Sequence, residues 1–463
     1  MKKPAQKKQI KVQKKSKKVN LDSLPLININ AAGIDIGSEE HWVAVPKDRD
    51  EKPVRRFGCF TSDLHAMADW LKKCDIDTVV MESTGVYWIP LFQILETRDF
   101  DVNLVNARHV KNVPGRKTDV LDCQWLQQLH TYGLLSGSFR PEDSICVLRS
   151  YWRHRENLIR YAAAHIQHMQ KALTEMNLHL HKVISNLTGL TGMRIIQAIL
   201  AGERDPLKLA RMRDPRIKNS AETIAKSLEG DYRQEHLFAL KQAFELYCTY
   251  QQQIEACDQQ IAAYLTQLDS KCDPDSTKKY KSSRSKNDPS FDLGYHLYRI
   301  TGVDFTKIDG LDVLTVHTVL TEVVLDPEAF GTEKRFASWL GLCSENRITG
   351  GRIISNKTRK VVNRASKAFR MAANSLRNSP SALGAYFRRM RARKGEPKAI
   401  TATAHKLARI FFHLWKTGDT YQDLGADYYE QKYKERVIKN MKQRAKKLGF
   451  ELTLKPLAVP EVS

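Results

Sequence analysis

Four acids stand where acids are costly. Asp35 lies inside the apolar, strand-like run GIDIG, where a lone carboxylate is unfavourable unless something pairs with it. Glu82 closes a second apolar run, DTVVMES, just before the turn-like STG. Asp119 and Asp122, in KTDVLDCQW, are spaced i and i+3, so a helix projects both from one face. If the strands are neighbours and the helix end packs over their termini, the four carboxylates converge. Two carboxylates about 5 Å apart repel by roughly 3 kcal/mol at an effective dielectric near 20, so such a cluster persists only with counter-charge. All-oxygen ligation suits Mg²⁺ or Mn²⁺ better than zinc. Two such ions stabilise the attacking and leaving oxygens of phosphoryl transfer. Taken singly, each acid reads more plainly as a helix-start or strand-end residue in solvent. Their joint order favours a metal site.

A second set of residues suits phosphodiesters. Segment 344–359 places Gly350 and Gly351 among Arg347, Arg352, Lys357 and Arg359, with several hydroxyls between them. Close backbone approach plus guanidinium donors would grip a phosphate, although a glycine hairpin with solvated arginines fits the same residues. Further upstream, LYRITGVDFTKIDGLDVLTVHTVLTEV has the cadence of a helix-hairpin-helix. Its turn, Ile308-Asp309-Gly310-Leu311, would offer backbone N–H groups at a helix start, and an ordinary helical hairpin is equally compatible. A basic loop, HVKNVPGRK, adds Arg116 and Lys117. His165 and His168, or His179 and His181, have metal-like spacing, but no cysteine or carboxylate completes a tetrahedral set. They read as surface or RNA-contacting residues.

These residues need elements to hold them. Residues 28–143 read as an α/β domain: LININAAGIDIGS and HWVAVP form a hairpin, DTVVMES and FDVNLVN are further strands, and SDLHAMADWLKKC, YWIPLFQILETR and DVLDCQWLQQLHTYGLL are helices. Residues 144–270 lack strand signals and read as a helical, coiled-coil linker. Leu240, Tyr247, Ile254, Ile261 and Leu268 fall seven apart there, with Ala243, Tyr250, Cys257 and Tyr264 three residues later. That seam predicts either an internal helical hairpin or a dimer contact. Residues 271–292 are polar and hinge-like, 293–420 form a second, mostly helical domain, and 421–463 hold a basic helix and tail. Residues 1–27 form a lysine-rich, disordered arm, either a solubilising tail or a phosphate clamp.

Composition narrows the partners. The chain has 463 residues, with 75 Lys and Arg against 52 Asp and Glu, a formal net charge of +23. That excess argues for a polyanionic partner rather than ordinary metabolite chemistry. The eight cysteines are scattered with no CxxC pair, which excludes a disulfide scaffold or zinc ribbon and fits a reducing cytosol. No apolar run approaches the roughly 18 to 20 residues of a membrane span. No GxxxxGK[ST] loop is present, so ATP-driven chemistry is not expected.

The blocks GIDIGSEEHWVAV, VVMESTGVYW and GRKTDVLDCQWL resemble those of the RuvC-like DEDD domain of the IS-one-ten / IS-eleven-eleven insertion-sequence transposases. The resemblance implies an RNase H-like α/β fold, followed by all-α regions, with Asp35, Glu82, Asp119 and Asp122 as the divalent-metal ligands. The segment FASWLGLCSENRITGGRIISNKTRKVVNRASKAFRMAANSL resembles the family's second catalytic domain, in which a catalytic serine precedes glycine. Thr349 occupies that position here. Threonine keeps the nucleophilic hydroxyl, but its methyl restricts χ1 and crowds in-line attack. Ser344 and Ser355 stand nearby as substitutes.

The resemblance spans roughly residues 30–420 and implies a cytoplasmic, nucleoid-associated recombinase acting on target and donor DNA. A structured non-coding bridge RNA would supply the sequence choice. A homo-oligomer, dimeric or higher, with its site completed by different protomers, is expected. The other readings are a RuvC-type structure-specific endonuclease using activated water, and a non-catalytic RNA- or DNA-binding descendant.

Overall fold

The computed structural model of the chain describes residues 24–83, 85–106, 119–272, 287–323, 325–359, 361 and 363–453. Most of the lysine-rich arm, the loop with Arg116 and Lys117, and the middle of the expected hinge lie outside these residues. The side chains of Asp119 and Arg347 do as well. The chain divides into two compact units, Met1–Arg140 and Pro141–Ser463.

The first unit is built on a five-stranded mixed sheet. Its elements in chain order are β1 (Ala31–Ile36), β2 (Glu40–Ala44), β3 (Val54–Gly58), α1 (Thr61–Lys73), β4 (Thr78–Glu82), α2 (Trp88–Glu96), β5 (Asp101–Val105) and α3 (Asp119–Thr131). The strand order is β3-β2-β1-β4-β5, with β1 to β3 antiparallel in succession and β4 and β5 parallel to β1. This is the RNase H-like arrangement. Strand residues alternate between faces. On one face Ala32, Ile34, Ile36, Val79 and Met81 meet Leu64, Met67 and Leu71 of α1 and Leu91 and Leu95 of α2. On the other, Val80 and Val105 meet Leu126 of α3. Central strands buried on both sides read as continuous apolar runs, which explains the composition of TVVME.

The second unit is largely helical. It opens with α4 (Asp143–Glu175), then four short helices, α5 (Leu180–Val183), α6 (Leu190–Leu200), α7 (Pro206–Arg211) and α8 (Ala221–Lys226), and returns along α9 (Gln234–Gln267). The heptad seam on α9 faces inward: Leu240, Ala243, Tyr247, Cys257 and Ile261 are buried, and Leu240, Ala243 and Tyr247 share one core cluster with Ala162, Met169 and Leu173 of α4. Of the two expectations for that seam, the structure adopts the internal hairpin.

A buried ion pair ties the hairpin together. Arg155 of α4 and Asp258 of α9, each about 2% exposed, form a two-point pair through Nε–Oδ1 and Nη2–Oδ2. Arg155 Nη1 also donates to the Asn287 carbonyl at 3.0 Å, and the Ser290 N–H donates to Asp258 Oδ2 at 3.1 Å. The described end of the expected hinge is therefore anchored on this pair.

The rest of the unit comprises α10 (Leu293–Thr301), α11 (Val313–Glu322), α12 (Glu333–Trp339), the strands β6 (Arg347–Thr349) and β7 (Arg352–Ser355), α13 (Arg364–Ser375), α14 (Ala382–Lys394), α15 (Glu396–Thr417) and α16 (Gly425–Lys447). Phe305, Phe336, Phe369 and Phe411 make its aromatic centre, with Phe305 stacked on Phe411 at 4.0 Å. Arg153 of α4 clamps Glu322 of α11 with 2.7 and 2.8 Å bonds, joining hairpin and bundle.

Candidate active site

Pairing register brings the first two acids together. Strands β1 and β4 run parallel with Ala31 beside Thr78 and Ile34 beside Met81. One step further along the same register, Asp35 falls beside Glu82. Adjacent parallel strands lie about 4.8 Å apart and equivalent positions share a face, so both residues stand at the carboxyl ends of their strands on one side of the sheet. Asp35 alternates with buried Ile34 and Ile36, which face α1 and α2, and so belongs to the face that α3 covers. Both acids are half-buried.

Helix α3 crosses β1 at Gly33, two residues before Asp35. A Cβ at Gly33 would lie 2.3 Å from the Gln127 backbone nitrogen and 2.4 Å from the Cys123 carbonyl oxygen. Only glycine admits that approach. It sets the α3 turn carrying Cys123 directly over β1, with Asp122 next to it and Asp119 at the start of the same helix. The electrostatics agree: burial, then the Asp35 charge, then that of Asp122 push the Cys123 thiol up to about 12. The far end of α3 is fixed to β4 by the buried pair His130 and Thr78, which share a 2.8 Å hydrogen bond. Burial, the largest influence, lowers the His130 pKa against the opposing pull of Asp101 and Asp77.

The donor set is all carboxylate, the chemistry that Mg²⁺ or Mn²⁺ prefers. Among the described residues no three His, Cys, Asp or Glu side chains stand close enough to grip one ion, and the Asp119 side chain is not among them. What fits the metal reading is the pairing of Asp35 with Glu82 and the passage of α3 across their face.

The second set of expected residues forms a hairpin. Strands β6 and β7 are antiparallel, Thr349 pairs with Arg352, and Gly350 and Gly351 fill the turn with φ of +53° and +76°. Positive φ at both central residues is the type I′ requirement, which glycine meets without strain. Thr349 thus stands exposed where the strand enters the turn, with Arg352 across from it. Ser355 pairs with Arg347 at the far end of β7, and Ser344 bridges Thr358 below it. Lys357 is exposed, while Arg359 reaches back so that Nη2 donates to the Ser338 carbonyl at 2.9 Å. Ile348, Ile353 and Ile354 are each more than half exposed on this arm.

Gly310 has a packing environment. Its φ is +86°, and a Cβ there would meet the Ala372 carbonyl of α13 at 2.8 Å. Helix α11 just after it is capped by Asp312, whose Oδ1 accepts from the Thr315 N–H at 2.7 Å. Sequence reasoning missed Gly33, whose signal was a glycine two residues before a strand aspartate. It also missed the pair of Arg155 and Asp258, for which no local signal exists.

A family model described as a transposase, of the DEDD type of IS110 elements, matches residues 32–178. A second, described as the transposase of the IS116/IS110/IS902 family, matches residues 304–388. The chain belongs to the IS110 transposase family. The first match contains the sheet with Asp35 and Glu82 together with α3, and the second contains the glycine hairpin of Thr349. Membership makes the protein a DNA-processing enzyme of the transposase class. No curated protein matches the chain. Among the described residues no helix is long and apolar enough to cross a membrane.

Proposed function

We propose that the protein is a metal-dependent DNA recombinase that cuts and rejoins an insertion element in the cytoplasm, on nucleoid DNA, guided by a structured RNA encoded with the element. The single observation that supports the catalytic reading most is the register placing Asp35 beside Glu82 on the face that α3 crosses. Asp35, Glu82, Asp119 and Asp122 would hold Mg²⁺ or Mn²⁺. A divalent ion there supplies Lewis-acid polarisation of a phosphoryl oxygen and stabilises charge on the leaving oxygen.

The chain's own residues carry the rest. The Thr349 hydroxyl attacks the phosphorus, its oxygen forms the new P–O bond, and the bond to the 3′-oxygen breaks. The proton lost by Thr349 ends on the departing 3′-oxygen, leaving a free 3′-OH and a 5′-phosphate esterified to the enzyme. Reversal by a 3′-OH from another strand completes the exchange without loss of bond energy. Arg352 sits across the strand pair from Thr349 and would bind the phosphate oxygens. The exposed glycine turn lets a backbone come close, since nothing lies within 4 Å of either Cβ position.

The test is reconstitution with the full-length protein, element RNA, both DNAs and Mg²⁺, scored for strand exchange and for a covalent protein–DNA adduct. An adduct that Thr349→Ala abolishes supports the recombinase. Cleavage that proceeds without any adduct overturns the hydroxyl step and leaves a RuvC-type endonuclease. The proposed enzyme acts as a homo-oligomer, and mixing Asp35→Asn protein with Thr349→Ala protein restores exchange only if subunits share the work.

A further inference from the structure

Helix α16 is 23 residues long, and none of them is buried. Its first half is held by its neighbour. Arg389 of α14 pairs with Glu430 and lies 3.4 Å over the ring of Tyr433, and Tyr429 packs edge-on against Tyr386 of α14. Its second half is not held in this way. Among the described residues no side chain from Val437 onward makes a hydrogen bond or an ion pair.

The residues of that second half sort by face. At about 100° per residue, Val437, Leu448, Met441, Ala445 and Ile438 fall within an arc of about 100°. Lys442 and Arg444 border this stripe on its two sides. Arg436, Lys439, Lys446 and Lys447 take the opposite face, and no acid stands between Arg436 and Lys447. Met441 is 54% exposed and Leu448 75%. Single apolar residues in water are ordinary, but a continuous stripe of them backed by cations asks for an occupant.

The apolar run does not stop with the helix. Gly449, at φ +81°, closes α16: its N–H donates to the Lys446 carbonyl at 3.2 Å, and the Phe450 N–H donates to the Ala445 carbonyl at 2.9 Å. A cap of this kind turns the chain sharply. Phe450, 72% exposed, is thereby kept at the helix end that carries Leu448.

Charge and apolarity together select the occupant. A nucleic-acid backbone answers the cations but leaves Met441, Leu448 and Phe450 in water. A second copy of the helix would cover the stripe, yet it would set Lys442 and Arg444 against their own counterparts with no acid to meet them. From Arg436 to Lys447 the stripe is about 18 Å long and one side chain wide, well short of the about 800 Å² per partner that a stable dimer buries. An anionic bilayer surface answers both features. Its acyl chains take the stripe, while the bordering Lys442 and Arg444 extend to the headgroup phosphates. The cations on the far face add attraction over about a Debye length.

We propose that the second half of α16 is an interfacial helix that docks the protein on an anionic lipid bilayer, lying in the headgroup plane with Val437, Met441, Ala445 and Leu448 toward the acyl chains. This is attachment to a surface and not a span. It goes beyond the recombinase reading and rests on neither the metal nor the hydroxyl chemistry.

The experiment measures cosedimentation of the full chain with vesicles of phosphatidylglycerol and phosphatidylcholine in equal parts, and with phosphatidylcholine alone. Met441→Gln, Leu448→Gln and Phe450→Gln together remove the stripe and keep every charge. Lys439→Gln, Lys442→Gln and Lys446→Gln together remove charge and keep the stripe. All six positions are exposed, and glutamine keeps helix propensity. The parent should bind the mixed vesicles at least about tenfold more tightly than the neutral ones, and each variant should lose at least about tenfold of that affinity. Two controls at exposed positions elsewhere, Leu207→Gln with Phe238→Gln and Lys208→Gln with Lys218→Gln and Lys226→Gln, should bind as the parent does.

No preference for the anionic vesicles overturns the proposal, as does an equal loss in the matching control. A stripe variant that still binds the vesicles fully also overturns it, leaving α16 a plain cationic patch suited to a nucleic-acid backbone. So does a stripe variant that loses self-association in sedimentation while keeping vesicle binding, which assigns the stripe to a second copy. Asp35→Asn protein binds the vesicles as the parent does, so failed chemistry and failed docking give different results.

Discussion

Asp35 on β1 and Glu82 on β4 occupy neighbouring register positions on parallel strands, at the carboxyl edge of the first unit's sheet. Two carboxylates so placed favour a cation between them. The wild-type unfolding temperature should therefore rise with Mg²⁺, because a ligand bound only by the native state stabilises it. In Asp35→Asn and Glu82→Gln that rise should vanish, and Mg²⁺-dependent cleavage should fall by about 10³-fold, equivalent to about 4 kcal/mol of lost transition-state stabilisation. Calorimetry with and without Mg²⁺ checks the first effect without any need for activity. A Mg²⁺ response that survives both substitutions removes these acids from the metal site.

Gly33→Ala should damage the same site from a distance. The new Cβ would sit 2.3 Å from the Gln127 nitrogen, which is helix backbone and cannot rotate away. Overpacking of this kind costs about 1 to 3 kcal/mol, and more where backbone must move. The expected outcome is a lower unfolding midpoint and a loss of the Mg²⁺ response, since α3 carries Asp119 and Asp122. A fully stable, fully Mg²⁺-responsive Gly33→Ala protein would show that α3 is not held at that distance.

Thr349 sits at the entry to a type I′ turn with open space around it. Thr349→Ala should abolish the covalent adduct, a drop of at least about 10³-fold in strand exchange. Thr349→Ser should retain it and exceed the parent rate, since the lost methyl frees χ1 for in-line attack. Adduct formation resolved on a denaturing gel reads both. An adduct that persists in Thr349→Ala and disappears in Ser344→Ala or Ser355→Ala would move the nucleophile to that serine.

Much of the sheet was legible because β1 and β4 are apolar runs bounded by turn residues. Strand β3 was not, since Val54–Gly58 carries Arg55 and Arg56 and lies at the sheet edge, where Phe57 packs only partly on the core. The acids at 35 and 82 could be picked out as costly, but their adjacency is a matter of register between segments 47 residues apart in the chain, which no local pattern encodes. The same holds for α9. Its seven-residue spacing was visible, whereas the choice of α4 as partner depends on the short helices that turn the chain back. Arg155 and Asp258 illustrate the opposite error, for charged residues on helices read as solvent-facing until a partner from another helix is seen.

Breaking that pair by half should cost the second unit more than replacing it whole. Removing one member of a buried, hydrogen-bonded ion pair costs about 3 to 5 kcal/mol, because the other charge is left without compensation. Asp258→Ala should lower the unfolding free energy by this amount and release the Asn287 to Ser290 segment, which both residues hold. The double variant Arg155→Met with Asp258→Leu should recover most of the loss. Denaturant unfolding of the three proteins tests the point, and a double variant no better than Asp258→Ala would contradict it.

His317 on α11 predicts the acid limit of the fold. It is fully buried, its ring lies 4.2 Å from that of Trp152 edge-on, and neither ring nitrogen has a hydrogen-bond partner among the described residues. Burial, and then the nearby Arg155 charge, lower its pKa to about 3. In the unfolded chain a histidine titrates near 6.5. Between those values the unfolded state holds a proton that the native state refuses, so stability is complete above about pH 6.5 and declines as pH falls toward 3. The slope from this residue is about 1.4 kcal/mol per pH unit, or about 2 kcal/mol by pH 5. His317→Leu keeps a ring-sized apolar side chain against Trp152 and has nothing to titrate. Its stability between pH 7 and pH 5 should decline by about 2 kcal/mol less than that of the parent. Equal declines in paired denaturant titrations at the two pH values would show that His317 is not a buried neutral base.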